Sequence, residues 1–466
     1  MKLQILLLIL LISPPYAAQD WPRFRGPNGS SVDLLSRGLP VEFGPSKNLV
    51  WQTPVPFAPS SPIVAGGHIF LTASEGDQLI TIALSAATGR RVWRREIRRA
   101  HAHPLFPRNS PASPTPAADN ENVYVFFPDF GLVSYTFSGV ERWRYPLGPF
   151  RNIYGMAVSP VVGGNLVVLN CDQQSGSFLI AIDKDTGQLR WRTERPGIVM
   201  GWAVPIVYAP PKGQTELIVV CSTRVDSYNL SNGERRWWFP IASDGAMGSP
   251  VLDGDTLIVH ARGHDEPWLP TFDSVLAEYD HDKDGRLSRA EFSKTDWVAH
   301  FGRIDDDSDG FIERKEWDAV RAYSVGENGV IAVRLGDLGQ LPASAVRWRF
   351  KRGVPYVPAP LLYNKVLYMV RDGGIITSLD AATGAMLKQG RTTAAPGEYY
   401  AQPVAADGKI FLVSEAGKMT VLKAEPQWEV LSVNDLGEDT YATPALSGGR
   451  IYVRTRTAAY CFGSRK

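Results

Sequence analysis

The chain is poor in cysteine, which limits how far disulfides can hold it together. Its 466 residues include three cysteines, and an odd number leaves at least one thiol free. Cys171 and Cys221 end equivalent apolar segments, NLVVLNC and ELIVVC. Equivalent points on neighbouring repeats are expected to lie farther apart than the roughly 7 Å between Cα atoms that a disulfide tolerates. We therefore expect no disulfide between these two residues.

An excess of charge is also missing. Lys and Arg number 49 against 48 Asp and Glu, a net charge of +1, so the overall charge gives no support for nucleic acid or an anionic membrane as partner. We expect no nucleic-acid partner. The densest basic run spans Arg90 to Arg99. It could meet an anionic partner, or it could be a solvated strand whose charge deters edge pairing. His101 and His103 follow it, either as metal ligands at alternate strand positions or as loop histidines.

Long apolar runs are absent apart from Leu3 to Ile12 near the N-terminus. This run follows Lys2 and has the length of a signal peptide, too short to span a bilayer comfortably. We expect a signal peptide over residues 1–18, although Tyr16 near the cleavage point leaves open an anchor that is retained. The mature protein is then exported to the periplasm or cell surface without a transmembrane span.

Catalytic signatures are equally scarce. The sequence has no evident Ser-His-Asp set, phosphate-binding glycine loop or carboxylate pair outside residues 280–316, so we predict no catalytic residue. Several polar or aromatic residues at strand ends are candidates for one mouth of a central channel, where ligands often bind. These are Asn170, Asp172, Trp202, Arg262, His264 and Asp265.

Two segments match the EF-hand pattern, D-x-D-x-D-G closed by Glu at position twelve. Calcium prefers six to eight oxygen ligands, and each segment supplies carboxylates, one backbone carbonyl and a closing Glu. The predicted ligands of the first loop are Asp280, Asp282, Asp284, the carbonyl of Arg286, Ser288 and Glu291. Those of the second are Asp305, Asp307, Asp309, the carbonyl of Phe311, Glu313 and Glu316.

The rest of the sequence repeats. A pattern of a small residue, Pro and two or three apolar residues before a turn recurs about every 45 residues. In most copies an apolar strand follows, and several copies also carry a Gly turn and a closing Trp. The eight prolines of this pattern are Pro62, Pro116, Pro160, Pro205, Pro250, Pro360, Pro403 and Pro444. Four short strands per repeat predict an all-β, eight-bladed propeller. We expect propeller segments at 19–266 and 326–466, an α-helical EF-hand insert at 267–325, and ring closure by a strand near Trp51.

The phrases IALSAATGRRVW, LIAIDKDTGQLRW and ITSLDAATGAML resemble the repeat of PQQ-like β-propellers, and DWPRFRGPNGSSV resembles the start of exported bacterial members. One branch, the quinoprotein alcohol dehydrogenases, holds pyrroloquinoline quinone and calcium with the help of two adjacent cysteines. This chain has no adjacent cysteines. The other branch, a lipoprotein of the outer-membrane β-barrel assembly machinery, binds proteins and no cofactor. This chain differs from it by its EF-hands and by lacking a lipid-bearing Cys.

From these observations we expect a calcium-binding, exported propeller that acts as a non-enzymatic binding or scaffold protein in the cell envelope. Its partner would be a protein or an envelope component at a propeller face. Calcium at two EF-hand sites is the expected cofactor, and pyrroloquinoline quinone is not expected. The alternative is a quinone-dependent dehydrogenase with an atypical site.

Overall fold

Eight β-sheets stand around a central axis in a closed ring. The computed structural model describes residues 20–102, 105–152, 154–198, 200–241, 248–263, 266–305, 309–326 and 328–464. Each blade is a four-stranded antiparallel sheet, which confirms the predicted eight-bladed propeller. Among the described residues, no helix has the length and apolar character needed to cross a membrane.

Within each blade the strands follow one another from the axis outward. Blade one contains Ile63–Ala65, His68–Glu75, Gln78–Ser85 and Arg91–Arg98. Blade two contains Ala117–Ala118, Asn122–Phe127, Gly131–Thr136 and Glu141–Pro146. Blade three contains Val161–Gly163, Leu166–Cys171, Phe178–Asp183 and Leu189–Glu194. Blade four contains Ile206–Tyr208, Glu216–Val220, Arg224–Asn229 and Arg235–Pro240, with Gly339–Gln340 added at its outer edge.

The second half of the ring follows the same order. Blade five contains Val251–Asp253, Thr256–Ala261, Gly329–Arg334 and Val346–Phe350. Blade six contains Leu361–Tyr363, Val366–Arg371, Ile375–Asp380 and Met386–Arg391. Blade seven contains Val404–Ala406, Lys409–Val413, Lys418–Lys423 and Glu429–Asp435, with Val32–Asp33 added on its inner side. Blade eight contains Ala445–Ser447, Arg450–Arg454 and Ala458–Gly463, and Leu49–Pro54 completes it.

Neighbouring blades are joined by a repeated contact between a Trp and a Gly. In five blades the indole N–H of the outermost strand donates to a carbonyl of the next blade, as in Trp93 to Phe137 at 2.7 Å. The ring of that Trp lies directly on the Gly of the next blade's turn, so that a Cβ on Gly139 would collide with it. The Trp and Gly that recur in the sequence are therefore two halves of one contact between blades.

The inner strands are linked by a ring of hydrogen bonds around the axis, which we call the axial ring. In six of the eight blades the residue before the repeated Pro donates its backbone N–H to the side chain of its counterpart in the next blade. The pairs are Ser61 to Thr115, Thr115 to Ser159, Val204 to Ser249, Ala359 to Gln402, Gln402 to Thr443 and Thr443 to Ser61. The axial ring is interrupted where Val204 and Ala359 offer no side-chain acceptor.

The segment from Trp21 to Ser31 fills the channel beside these interruptions. Trp21 exchanges backbone hydrogen bonds with Val64 of blade one. Arg23 donates to the carbonyl of Pro205. The Arg25 guanidinium reaches the carbonyls of Ser249 and Pro360, at 3.2 and 2.9 Å, and so joins blades five and six. Carbonyl oxygens take the place of counter-ions for both buried guanidinium groups.

A buried histidine beside Arg25 makes the stability of the ring depend on pH. Burial and the charge of Arg25 lower the pKa of His260 from 6.5 to about 4. The unfolded chain therefore binds a proton between pH 6.5 and 4 that the folded chain does not, and up to about 3 kcal/mol of stability is lost as the pH falls through this window. Hydrogen bonds from Thr186 hold the pKa of Asp183 at about 2, below the window.

We expect His260→Gln to flatten this pH dependence, because glutamine does not titrate. Urea denaturation of both proteins at pH 7.0, 5.5 and 4.5 measures it. If the free energy of unfolding falls by the same amount in both proteins between pH 7.0 and 4.5, His260 is not the group responsible.

The insert emerges between the second and third strands of blade five and has a hydrophobic core of its own. Its helices are α1 (Phe272–Tyr279), α2 (Arg289–Phe292), α3 (Phe301–Ile304) and α4 (Arg314–Ser324), and a 3₁₀ turn at Val298–His300 precedes α3. Two further 3₁₀ turns lie outside the insert, at Pro27–Gly29 and Ala343–Ala345. Trp317 is fully buried at the centre of the insert, and its ring contacts those of Phe272, Phe292 and Trp297. These helices lie on either side of the acidic loops, as expected for an α-helical EF-hand insert.

Candidate functional site

The first acidic loop curls its carboxylates toward one point. Asp280 accepts the backbone N–H groups of Lys283 and Gly285, at 2.7 and 3.0 Å. Oxygen atoms of Asp280, Asp282 and Asp284 lie within 4.8 Å of one another. Gly285 has φ of +82°, a conformation that a residue without Cβ adopts at little cost. The loop is thus closed by its own backbone, with three carboxylates side by side.

Glu291 closes the first loop from the start of α2. Its carboxylate accepts the hydroxyl and backbone N–H of Ser288, at 2.7 and 3.0 Å, and the backbone N–H of His281 at 2.8 Å. These bonds, led by the Ser288 hydroxyl, lower the pKa of Glu291 to about 2. The side chain is therefore ionised at neutral pH. Arg286, whose carbonyl is the predicted ligand, directs its guanidinium to Asp284 at 3.0 Å.

The second loop has the same form where it is described. Asp305 accepts the backbone N–H of Gly310, and Asp309 accepts that of Phe311 at 2.8 Å. Glu316 accepts the backbone N–H of Glu313 at 2.8 Å, at the start of α4. Asp307 lies outside the described residues. The two loops are joined by a short antiparallel pair in which Leu287 faces Ile312 and Ser288 faces Phe311.

One atom of the second loop calls for a ligand of its own. Asp305 is buried, and its Oδ1 has no hydrogen-bond partner among the described residues. A buried carboxylate oxygen without a partner is costly, and a hard cation with oxygen ligands would remove that cost. The residues of the first loop, and the described residues of the second, therefore fit calcium in type and spacing. The ligand assignments themselves stay predictions.

A second candidate site lies at the mouth of the central channel. A cavity of about 320 Å³ opens there, lined by residues from the connections between blades. Most of these connections contribute an aromatic side chain, and Phe24 of the N-terminal segment joins them. This aromatic collar consists of Phe24, Phe106, Tyr154, Trp202, Tyr356, Tyr400 and Tyr441. The polar side chains Ser61, Thr115, Ser159, Gln402 and Thr443 also line the cavity.

The charged groups beside this cavity already have partners. Arg108 pairs with Glu398 and Glu415, both at 3.0 Å. The phenol of Tyr441 donates to Glu415 at 2.8 Å, and Tyr400 donates to Glu398. Burial and the bond to Glu415 raise the pKa of Tyr441. This side of the aromatic collar is consequently held in place by a fixed hydrogen-bonded cluster.

The calcium loops and the cavity open on the same face of the propeller. In a four-stranded antiparallel blade, the connection after the second strand and that after the fourth lie at the same end. The insert is a connection of the first kind, and the aromatic collar comes from connections of the second kind. Trp202 connects the cavity with the insert, since it lines the cavity and packs against the core of the insert together with Met200. Gln174 adds a 3.1 Å hydrogen bond to the carbonyl of Gly302.

The residues predicted at the channel mouth lie in different places. Trp202 lies there, and the Arg262 guanidinium stacks on Tyr356, 4.2 Å from the ring centre. The prediction is wrong for Asn170 and Asp172, which are completely buried at the end of a strand in blade three. Asp172 is held by the buried Arg195 at 2.7 Å, because the carboxylate needs a cation away from water. His264 and Asp265 lie outside the described residues.

Several arginines of the basic run form ion pairs within the propeller. Arg94 pairs with Glu75 and Glu96, Arg98 with Asp77, and Arg99 with Asp129. Arg91 to Arg98 form the outermost strand of blade one, where charge is the expected protection of an edge. The structure therefore favours the interpretation as a solvated strand over that as an anion-binding surface. His101 follows this strand, and His103 lies outside the described residues.

Sequence reasoning missed the aromatic collar and the role of the N-terminal arginines. A signal for the collar was present, because an aromatic residue stands three positions before the repeated Pro in three copies. These are Trp202, Tyr400 and Tyr441, before Pro205, Pro403 and Pro444. Nothing in the local sequence indicates that Arg23 and Arg25 enter the channel, since their partners are carbonyls far along the chain.

Two known families match parts of the chain. The family described as "Outer membrane protein assembly factor BamB", a PQQ-type repeat family, matches residues 44–153 and 82–267. The family described as "EF hand" matches residues 272–294 and 298–320. No curated protein matches the sequence.

Two solved structures show the same fold at low sequence identity. BamB from Moraxella catarrhalis aligns with 10% identity and a TM-score of 0.54, covering 89% of this chain and 99% of that protein. Quinohemoprotein alcohol dehydrogenase from Comamonas testosteroni aligns with 11% identity and a TM-score of 0.57, covering 96% of this chain and 81% of that enzyme. Similarity at this level supports the propeller architecture, while function depends on the sites.

Proposed function

We propose that this chain, a propeller of PQQ-like repeats with an inserted EF-hand pair, is a calcium-binding, non-enzymatic binding or scaffold protein of the cell envelope. Calcium would be held by the twelve residues predicted from the sequence: Asp280, Asp282, Asp284, Arg286, Ser288, Glu291, Asp305, Asp307, Asp309, Phe311, Glu313 and Glu316. The bound ion would neutralise the acidic loops and fix the insert on the propeller face. The partner would bind on that face.

The contact that carries this proposal is the one made by Trp202. This residue packs against the core of the insert and also lines the axial cavity, so ordering of the insert by calcium acts directly on the wall of a binding cavity. The match to a BamB family, whose description names an assembly factor, adds support for a protein partner. An envelope location follows from the predicted signal peptide.

The alternative of a quinone-dependent dehydrogenase finds little support at the cavity. The cysteine pair that this resemblance calls for is missing, since Cys171, Cys221 and Cys461 are buried free thiols in separate blades. The described residues that line the cavity include no carboxylate to hold calcium beside a quinone. These residues do not fit the quinone site of such enzymes, and equilibrium titration of the mature protein with pyrroloquinoline quinone tests the point. Tight stoichiometric binding followed by turnover of an alcohol or sugar would overturn the proposal.

The calcium sites give the first direct test. We expect calcium to slow hydrogen exchange across residues 267–325 in the wild-type protein, and the double variant Glu291→Gln, Glu316→Gln to lose this protection. The reason is that each Glu supplies the bidentate closing ligand of its loop. Calcium affinity should fall at least 100-fold, as measured by calorimetry, and exchange in the propeller strands should not change.

The matched control is Glu278→Gln, Asp318→Asn, which removes two charges of the insert outside the predicted ligand set. It should keep the calcium response. Equal loss of affinity in the control would mean that net charge, and not ligation, attracts the ion. Unfolding of the whole propeller in the double variant would contradict the independence of the insert.

A further inference from the structure

We infer that the axial cavity is a binding site for a carboxylate attached to an apolar or aromatic body, such as the C-terminal residue of a peptide or a small aryl carboxylate. The inference rests on the proposed function, since it specifies the ligand chemistry of the proposed binding face. Three independent features of the described residues lead to it: the hydrogen-bond donors of the axial ring, two buried guanidinium groups, and the aromatic collar.

The first feature is a set of donors that converge on the axis. The side chains of Ser61, Thr115, Ser159, Gln402 and Thr443 line the cavity. Each side-chain oxygen accepts a backbone N–H from the preceding blade, which completes the axial ring. An oxygen that accepts in this way leaves its O–H, or for Gln402 its NH₂, free to donate. Among the described residues none of these groups has an acceptor, so the cavity offers donors to a ligand rich in acceptors.

The second feature is positive charge beside the same ring. Arg23 and Arg25 are buried and contact carbonyls of Pro205, Ser249 and Pro360, at or next to ring positions. Burial lowers the pKa of Arg23 to about 10, and burial with the charge of Arg23 lowers that of Arg25 to about 9. Both are therefore cationic at neutral pH. Two like charges without a carboxylate partner favour an anion nearby.

One atom points to the same conclusion. The Nε of Arg23 is buried and has no hydrogen-bond partner among the described residues. Phe24, which stands between the two arginines in sequence, lines the cavity. The segment that carries the two arginines therefore reaches the cavity through Phe24. An oxyanion on the axis would meet both the ring donors and the field of the two guanidinium groups.

The third feature selects the body of the ligand. Above the donors, the aromatic collar contributes side chains from opposite sides of the propeller. They include the pair Tyr154 and Trp202, with 5.4 Å between ring centres, and the pair Tyr400 and Tyr441, with 6.0 Å. Aromatic walls favour an apolar or aromatic group over a second charge. Arg108, which lines the cavity, is already paired with Glu398 and Glu415, so its guanidinium is not available to a further acidic group.

The test compares two ligands that differ in one charge. Calorimetric titration of the calcium-loaded, full-length mature protein with N-acetylphenylalanine should show binding, and N-acetylphenylalaninamide should bind at least tenfold more weakly. Tryptophan fluorescence should respond to the acid, since Trp202 lines the cavity. Equal affinities for acid and amide, or no binding of either, would overturn the inference. These results do not depend on any variant being folded.

A variant locates the effect. Arg23→Gln should weaken binding of the acid about tenfold and leave the amide unaffected, whereas the exposed Arg37→Gln should change neither. Thermal melting of both variants verifies that they are folded. If Arg23→Gln weakens acid and amide equally, charge is not recognised and the inference fails.

Two further experiments are needed. One distinguishes a peptide chain end from a small metabolite as the source of the carboxylate, and the other tests this inference separately from the proposed function. Tighter binding of the tripeptide Ala-Ala-Phe than of phenylacetate supports a chain end as the ligand, and the reverse order supports a small metabolite. Loss of carboxylate binding with an intact calcium response in the exchange experiment would remove this inference alone. Turnover by quinone-loaded protein would instead remove the proposed function.

Discussion

Replacing Arg195 by methionine is expected to lower the free energy of unfolding by about 3–5 kcal/mol. The guanidinium is fully buried and contacts Asp172 at 2.7 Å, Asp226 at 3.1 Å and the hydroxyl of Tyr228 at 2.6 Å. Methionine keeps much of the volume but leaves the buried Asp172 without its cation, whereas Asp226 keeps its ion pair with Arg224 at 2.8 Å. The loss arises chiefly from the unpaired Asp172 carboxylate, because the intact cluster itself contributes little net stability. Urea denaturation followed by circular dichroism at pH 7 measures it.

Two companion proteins test the cause of this loss. Adding Asp172→Asn to the Arg195→Met variant should recover most of the stability, since the carboxylate that lost its cation is then replaced by a neutral amide. Arg98→Met, which removes an 81% exposed side chain paired with Asp77, should change the free energy of unfolding by no more than about 0.5 kcal/mol. An Arg195→Met, Asp172→Asn double variant as unstable as Arg195→Met would assign the loss to packing instead.

The Arg195 cluster also affects the binding face. Asp172 lies against Gly201, next to Trp202, so the cluster supports the loop that joins the insert to the cavity. We therefore expect the Arg195→Met variant to show faster exchange in residues 200–204 even under conditions in which the propeller is folded.

Replacing Arg25 by alanine is the second change with a large expected effect, a loss of about 2–4 kcal/mol. The side chain makes three buried hydrogen bonds, to Ser31 Oγ at 2.7 Å and to the carbonyls of Ser249 and Pro360. Hydrogen bonds to a charged group contribute about 1.5–3 kcal/mol each, and relief from burying the charge offsets part of their loss. The thermal midpoint and exchange across residues 20–33 measure the effect.

Arg37→Ala is the matched control, because this exposed side chain binds carbonyls of its own segment, Leu34 and Ser36. It should leave the midpoint within the error of measurement. If Arg25→Ala were equally neutral, the N-terminal segment would not hold blades five and six together.

The fold could be predicted from the sequence because its determinants are local. Each repeat carries its own Pro, and several also carry a Gly turn and a closing Trp; the contact of Trp93 with Gly139 joins two adjacent copies. The EF-hand loops are equally local, since their predicted ligands lie within twelve residues. Such patterns need no knowledge of which blades meet.

The cavity could not be predicted in the same way, because its parts lie far apart in the chain. Arg25 meets a carbonyl 335 positions away, and the axial ring closes between Thr443 and Ser61. Asp172 was misplaced for a similar reason. Its position at a strand end suggests a channel mouth, whereas its partner Arg195 draws it into the interior. Long-range partners, and not local composition, decide these positions.

The closure of blade eight affects how the chain folds. Its outermost strand, Leu49–Pro54, is made early, and its partner, Ala458–Gly463, is made about 400 residues later. Until then blades one to seven form an open arc, and Leu49–Pro54 lacks its partner strand. Exposed strand edges are templates for pairing with a second copy. Incomplete chains, and not the finished ring, are therefore the species most prone to aggregate, and shielding Leu49–Pro54 during synthesis should improve the yield.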